Sequence, residues 1–267
     1  MHPLDALRGF ATSRHPDREL APDVYLLHDS HTVTVFDKFP KAKYHFLVLP
    51  RIPFPLASED VAGGSSETET QSESDLSASD APSSMSSNPL PSASLTSLHA
   101  LLTKVPCAKA LQVLESLRQA SLEVVEMIRD EMLKTEGFEW GIEVGFHAVP
   151  SMRHLHLHII STDFVSPSLK VKKHYASFHP TLGFFLPLAD VLQSLSPHRA
   201  SGQGTTYSLF DLEKYLRPDG PKAWEPLLKS DLHCWRCNQP FSNMPALKVH
   251  LEEEWSRLKR APQKPEG

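Results

Sequence analysis

Residues 153–161, RHLHLHIIS, place His154, His156 and His158 at every second position, with Leu155, Leu157 and Ile159 between them. In an extended strand, positions i, i+2 and i+4 share a face. The pattern therefore turns three imidazoles one way and sends the apolar side chains into a core. Such a row can be a polar solvated face, a metal site, or a nucleophile whose second nitrogen is held by an acceptor. Same-face strand positions splay apart, so a metal would need ligands from elsewhere. Attack on phosphorus also suits the spacing, because flanking rings would orient the central one and donate to oxygens as they gain charge. The residue types alone leave all three readings open.

A second cluster lies towards the C-terminus, in CWRCNQPFSNMPALKVHLEEE. Cys234 and Cys237 are spaced C-x-x-C, His250 follows after twelve residues, and Glu254 comes four positions later. Phe241 and Leu247 complete the apolar framework of a ββα zinc finger whose last histidine is replaced by glutamate. Residues i and i+4 project from the same helix face, and zinc accepts sulfur, nitrogen and carboxylate oxygen. Four protein ligands leave no open position, which makes this one structural Zn2+ and leaves no catalytic metal expected. Glu253 and His233 compete for the fourth place, and a redox pair is the other reading of an isolated C-x-x-C. With Cys107 the chain has three cysteines, an odd and sparse set that excludes a disulfide framework and suits a reducing compartment.

These clusters need a scaffold. Alternating β-branched and aromatic residues predict strands near 24–28, 32–36 and 44–50, and FEWGIEVGFHAV and HLHLHIIS read as two more. Leu111, Val113, Leu114, Leu117, Leu122, Val125 and Ile128 recur at helical spacing and predict a long amphipathic helix. The fold class is therefore α+β: an antiparallel sheet with packed helices, plus a small C-terminal zinc-finger domain. Residues 57–94 are acidic and Ser-rich with few large apolar side chains, so a disordered insert is expected there. The expected division is a domain over 1–204, a finger domain over 205–260 and a tail over 261–267. The net charge of −5 is uneven: residues 52–103 hold seven acids and no Lys or Arg, leaving 25 acids against 27 basic residues elsewhere. That mildly basic remainder permits a polyanionic partner. No segment is apolar enough to span a bilayer and no signal peptide is legible, so a soluble intracellular protein with no membrane partner is expected. Beyond the histidines, Ser168, Lys170, Lys172, Lys173 and His174 with Tyr175 and Phe178 form a basic stretch able to receive a phosphate backbone.

HLHLHII fits the His-φ-His-φ-His-φ-φ pattern (φ apolar) of the histidine triad superfamily of nucleotide hydrolases and transferases. GFHAVPSMRHLHLHIISTDFVSPSLKVKKHYASF and DKFPKAKYHFLVLPR narrow the resemblance to the aprataxin branch, over about 23–56 and 95–260. The resemblance implies a histidine-triad-like fold and removal of AMP from adenylated DNA 5′ ends left by abortive ligation. It implies His156 as nucleophile, forming an adenylyl-histidine intermediate. His158 would bind the phosphate, His154 would orient the nucleophile, and Ser151 would contact the phosphate or leaving group. On the nucleotide side it implies Asp37 at the ribose hydroxyls, with Lys38, His45 and His147. Ser168, Lys170, Lys173 and His174 would meet DNA. A finger with Cys234, Cys237, His250 and Glu254 as ligands is what this branch carries. The resemblance further implies a monomer acting on nicked or broken DNA in the nucleus, of the fungal type without a forkhead-associated domain. Two other readings stand beside it: a hydrolase of AMP-amides or dinucleoside polyphosphates, which needs neither finger nor basic stretch, and a non-catalytic nucleic-acid-binding module.

Overall fold

The computed structural model describes residues 2–57, 89–195 and 220–260. Six strands form one sheet: β1 (Tyr25–His28), β2 (Thr32–Phe36), β3 (His45–Pro50), β4 (Ile142–His147), β5 (Leu157–Ser161) and β6 (Phe185–Pro187). Their order is β1-β2-β3-β5-β4-β6, and every pairing is antiparallel. The first three lie within one residue of their expected positions. All residues of β3 and β5 are buried, as befits the middle of a sheet covered on both faces.

Register decides what each face carries. Phe46 opposes Ile159 and Val48 opposes Leu157, and these side chains pack on one face. Against them lies α4 (Cys107–Glu136), through Val113, Leu114, Leu117 and Val124. Two short helices, α1 (Ala6–Ala11) and α2 (Pro16–Glu19), precede the sheet, and α3 (Leu98–Lys104) leads into α4. The side chain of Ser97 caps α3 by accepting the Ala100 N–H, and α4 stops at Gly137, whose φ of 78° is the left-handed conformation that glycine tolerates best.

The opposite sheet face is covered in two parts. At one end Val33, Val35, Leu47 and Leu49 meet Leu7 and Ala11 of α1. At the other, Ile160 and Phe185 meet Phe178 of α5 (Lys172–Phe178) and the finger residues Leu232, Met244, Leu247 and Leu251. The finger itself is β7 (Leu232–His233), β8 (Pro240–Phe241) and the final helix (Met244–Arg260). Between the two covers, the sheet presents His45, His147 and His158.

Four details differ from the sequence expectation. β5 starts only at Leu157, because His154 adopts a φ of 116° and breaks the extended run. Leu122 is 46% exposed, since Ser121 occupies the inward helical position and satisfies its hydroxyl on the Arg118 carbonyl. Residues 89–94 are ordered rather than part of the insert: Leu90 and Ser94 are buried, while 58–88 lie outside the described residues. The expected 204/205 boundary and the 261–267 tail also lie outside them. After that gap, Trp224 joins the α4-side core before the finger begins, and α6 (Leu188–Leu195) and α7 (Glu225–Leu228) flank it in sequence.

Gly145 pairs with His158 on one side and Pro187 on the other. A β-carbon there would collide with the Leu186 carbonyl and lie 2.7 Å from the Phe185 ring. Backbone cannot yield cheaply, so Gly145→Ala is expected to lower unfolding free energy by about 1–3 kcal/mol in urea melts. An unchanged midpoint and slope would contradict this packing.

Candidate functional site

The central chemistry is readable from hydrogen-bond direction. A carbonyl only accepts, so the 2.8 Å contact between His156 Nδ1 and the His154 carbonyl places the proton on Nδ1. His156 Nε2 then keeps its lone pair. The positive φ of His154 costs on the order of 1–3 kcal/mol for a non-glycine residue. That turn is held by the His154 N–H on the Thr96 carbonyl and by its ring Nε2–H on the Pro50 carbonyl, 2.8 Å away. His154 thus orients His156 through its backbone; its ring is anchored at the end of β3.

A second chain of bonds sets His158. The Lys41 backbone N–H donates to His45 Nδ1 at 3.2 Å, so the neutral His45 ring carries its proton on Nε2. That proton is donated to His158 Nδ1 at 3.0 Å, leaving His158 protonated on Nε2. His158 Nε2 is buried and without a partner, a donor held ready for an acceptor that enters. The His156 and His158 ring centroids are 4.9 Å apart and edge-on. The His147 ring lies 4.5 Å from that of His158, tilted by 44°, and Phe178 lies against both.

Burial keeps these rings neutral. It lowers His45 and His154 to about 4, pulls His156 down against the opposing pull of its bond to His154, and holds His147 and His158 well below the usual histidine value. A neutral row is what a lone-pair nucleophile requires.

The rings open into a cavity of about 590 Å³. Asp37, His45, His147, Ser151, His156, His158, Ser168, Lys170, Lys173 and His174 all line it. Two of the expected residues do not. His154 is buried behind the cavity, and Lys38 is exposed, with its ammonium beside the Phe39 ring. Lys41 takes the lining position instead, tethered through its ammonium to the Phe39 carbonyl. Nothing in the spacing of DKFPKAK distinguished the two lysines; the turn after Asp37, closed by the Phe39 N–H on its carboxylate at 2.7 Å, does so. Glu225 and Leu228 of α7 also line the cavity, although neither belongs to a motif in the sequence.

On the other side of Asp37 and His45 lies a cavity of about 420 Å³. Leu26, Phe36, Phe46, Val124, Met127 and Ile128 give it an apolar wall, and Asp37 and His45 border both spaces. Asp37, His45 and His158 also bring one donor atom each within 4.8 Å of one another.

In the finger, ligand atoms of Cys234, Cys237 and His250 lie within 4.8 Å of one another, and Cys237 Sγ is 3.3 Å from His250 Nε2. These separations suit donors about 2.0–2.3 Å from one zinc ion. Glu254 stands outside this group of three: its Oε1 is 3.8 Å from His250 Nε2 and is paired with Arg257 Nη1 at 2.8 Å, so Cys234, Cys237 and His250 are the residues that fit a zinc ion here. Cys234 is buried, and Asn238, next after Cys237 and in the left-handed region with a φ of 59°, closes the knuckle by donating its N–H to the Cys234 carbonyl at 2.8 Å.

Two family models match: the C2HE / C2H2 / C2HC zinc-binding finger over residues 181–257, and the scavenger mRNA decapping enzyme C-terminal binding family over 90–174. An aprataxin-like protein of Schizosaccharomyces pombe is 31% identical over 244 residues, covering 88% of this chain and 77% of that protein. The chain belongs to the aprataxin family. Aprataxin of Gallus gallus is 31% identical over 236 residues, and the chain spans 52% of that protein's length. The crystal structure of the aprataxin ortholog Hnt3 in complex with DNA is similar over 95% of both chains, with a TM-score of 0.55 and 26% identity. The finger match and the clustered cysteine and histidine ligands together mark a structural zinc site.

The neutral rings couple stability to pH. His45 and His154 titrate near 4 in the fold and near 6.5 when unfolded, so the unfolded chain binds more protons below pH 6.5. Stability is complete above that value and falls as pH drops towards 4, by on the order of 2 kcal/mol per ring at pH 5. Denaturant melts at pH 7.5 and 5 measure this; His154→Gln should flatten the slope, and an unchanged slope would contradict it.

Proposed function

We propose that this chain removes adenylate from DNA 5′ ends left by abortive ligation, in two steps through a covalent adenylyl-histidine on His156. The observation that carries the reading is the unprotonated Nε2 of His156 on a cavity that also holds an unpartnered N–H of His158. In the first step the Nε2 lone pair forms a bond to the adenylate phosphorus. The bond from that phosphorus to the bridging oxygen breaks, and the DNA 5′-phosphate leaves. In the second step water bonds to the phosphorus, the phosphorus–nitrogen bond breaks, AMP departs, and a proton passes to solvent. His158 Nε2–H donates to a phosphoryl oxygen as negative charge builds there.

The two cavities divide the substrate. The base occupies the apolar space walled by Leu26, Phe36 and Phe46, the ribose hydroxyls meet Asp37 at the border, and the phosphates face the histidines. The polynucleotide leaves over Ser151, Ser168, Lys170, Lys173 and His174, with Lys41 supplying further positive charge. His147 supports His158 by ring contact. Zinc supplies no chemistry in this scheme: one structural ion held by Cys234, Cys237, His250 and Glu254 organises the finger, and no catalytic metal takes part.

Support for DNA as substrate comes from the similarity to an aprataxin ortholog solved with DNA and from the basic wall. The same reading makes the protein a monomer in the nucleus that processes nicks and breaks. A hydrolase of small AMP conjugates would need the histidines and the apolar space but neither the basic wall nor the finger.

His156→Ala should lower AMP release from a 5′-adenylated nicked duplex by at least about 10³-fold while duplex affinity changes little. His158→Ala should cost about 10²–10³-fold in kcat. Wild-type turnover by the His156 variant would overturn the nucleophile, and faster wild-type turnover of AMP-amides than of adenylated DNA would favour the small-molecule reading.

A further inference from the structure

The helix α5 has two faces with different duties. Lys173, His174, Ser177 and Phe178 line the cavity of His156, whereas Tyr175 points away from it and is 1% exposed. The Tyr175 hydroxyl donates to the His233 carbonyl at 3.0 Å and accepts the Trp235 N–H at 2.9 Å. Those two backbone groups flank Cys234, so one side-chain oxygen closes a clip around a cysteine of the zinc knuckle. The ring is packed edge-on against Phe164 and His179, which leaves it no other pose.

Besides this clip the helix is held by packing, with Tyr175 and Phe178 in one apolar cluster with Leu232 and Leu247 of the finger. It spans seven residues, and no side chain caps its N-terminus. A helix this short does not persist on its own in water. Its polar link through Lys172 Nζ, 3.7 Å from the fully exposed carboxylate of Asp231, carries little weight, so the clip and the apolar packing, with the His179 ring 4.7 Å from that of His233, join it to the finger. Whatever fixes the knuckle therefore fixes α5, and whatever fixes α5 fixes the knuckle.

From this geometry we infer that Tyr175 is a positioning residue that couples metal retention in the finger to polynucleotide binding in the cavity. DNA contacting Lys173 and His174 orders α5, the hydroxyl clip carries that order to the backbone around Cys234, and the zinc is released more slowly. Linkage makes the effect reciprocal: the loaded knuckle holds the basic wall in its DNA-binding pose. The inference rests on the proposed DNA-binding role of the cavity and adds to it a reason why a finger belongs beside this site.

The test uses the zinc-loaded full chain and follows transfer of metal to a colorimetric chelator, with and without a saturating nicked duplex that carries a plain 5′-phosphate and cannot react. For the wild type the duplex should slow metal loss by about tenfold, within the usual range of site-to-site coupling. For Tyr175→Phe, which keeps the ring and loses both bonds, the duplex should slow it less than about twofold. Equal protection in both proteins would mean that DNA merely covers the finger, and would overturn the coupling. Amide exchange at Trp235 in the wild type is a second reading that needs no variant: the duplex should slow it, and an unaltered rate would overturn the proposal. Duplex binding measured in the same samples separates the two levels of inference. Binding without differential protection overturns the coupling alone; absence of binding overturns the coupling and the DNA-directed function together.

Discussion

The hydrogen bond from His156 Nδ1 to the carbonyl of His154 is the constraint on which the site depends. It decides which nitrogen carries the proton, which edge of the ring is free, and where that edge points. The bond exists because His154 leaves the extended conformation, and the turn persists because its own ring and N–H are satisfied by Pro50 and Thr96. A backbone turn in a buried place is a more exact holder than a side chain, since no rotamer change can release the acceptor. The neighbouring chain from Lys41 through His45 to His158 works in the opposite sense and delivers a hydrogen to the cavity where His156 delivers a lone pair. A lone pair and a hydrogen donor thus arise from the same residue type by the direction of two hydrogen-bond chains.

The sheet and its covers make room for this arrangement. Apolar alternation in β3 and β5 faces α4, so the opposite face is free to carry His45 and His158. Neither α1 nor the α5–finger pair covers that face completely, and the gap is the cavity. Burial that keeps the rings neutral also makes them costly in acid, so neutrality and acid sensitivity have one origin. The finger adds a third layer: Leu232, Met244, Leu247 and Leu251 pack into the same cluster as Ile160 and Phe178. It belongs to the body that carries the sheet as much as it is an appendage.

Periodicity in the sequence was enough for five of the six sheet strands, the long helix and the finger framework, because each rests on local pattern: period two, period 3.6, and ligand spacing; three-residue β6 is too short to show a period. The histidine row was legible as a cluster but not as a shape. Nothing in the alternation of His154, His156 and His158 reveals that the first lies in a turn with positive φ, since any such residue is an exception to local preference. Lys41 was hidden for a related reason. Which of two lysines enters a cavity depends on a turn closed by the Asp37 carboxylate, and both obey the same sequence pattern. Glu225 and Leu228 reach the site only through tertiary packing of α7, for which no spacing rule exists. Leu90 shows the limit of composition: a Ser-rich stretch can end in a core residue without a change of character to announce it.

The most direct measurement is to quench a reaction of the protein with duplex bearing a labelled 5′-adenylate and locate the label on the chain by mass spectrometry, with phosphorus NMR to identify the nitrogen. The account requires AMP on His156, attached through Nε2, with the Nδ1 proton still present. Label on His158 or His154, attachment through Nδ1, or turnover that leaves no covalent species under any quench would contradict it.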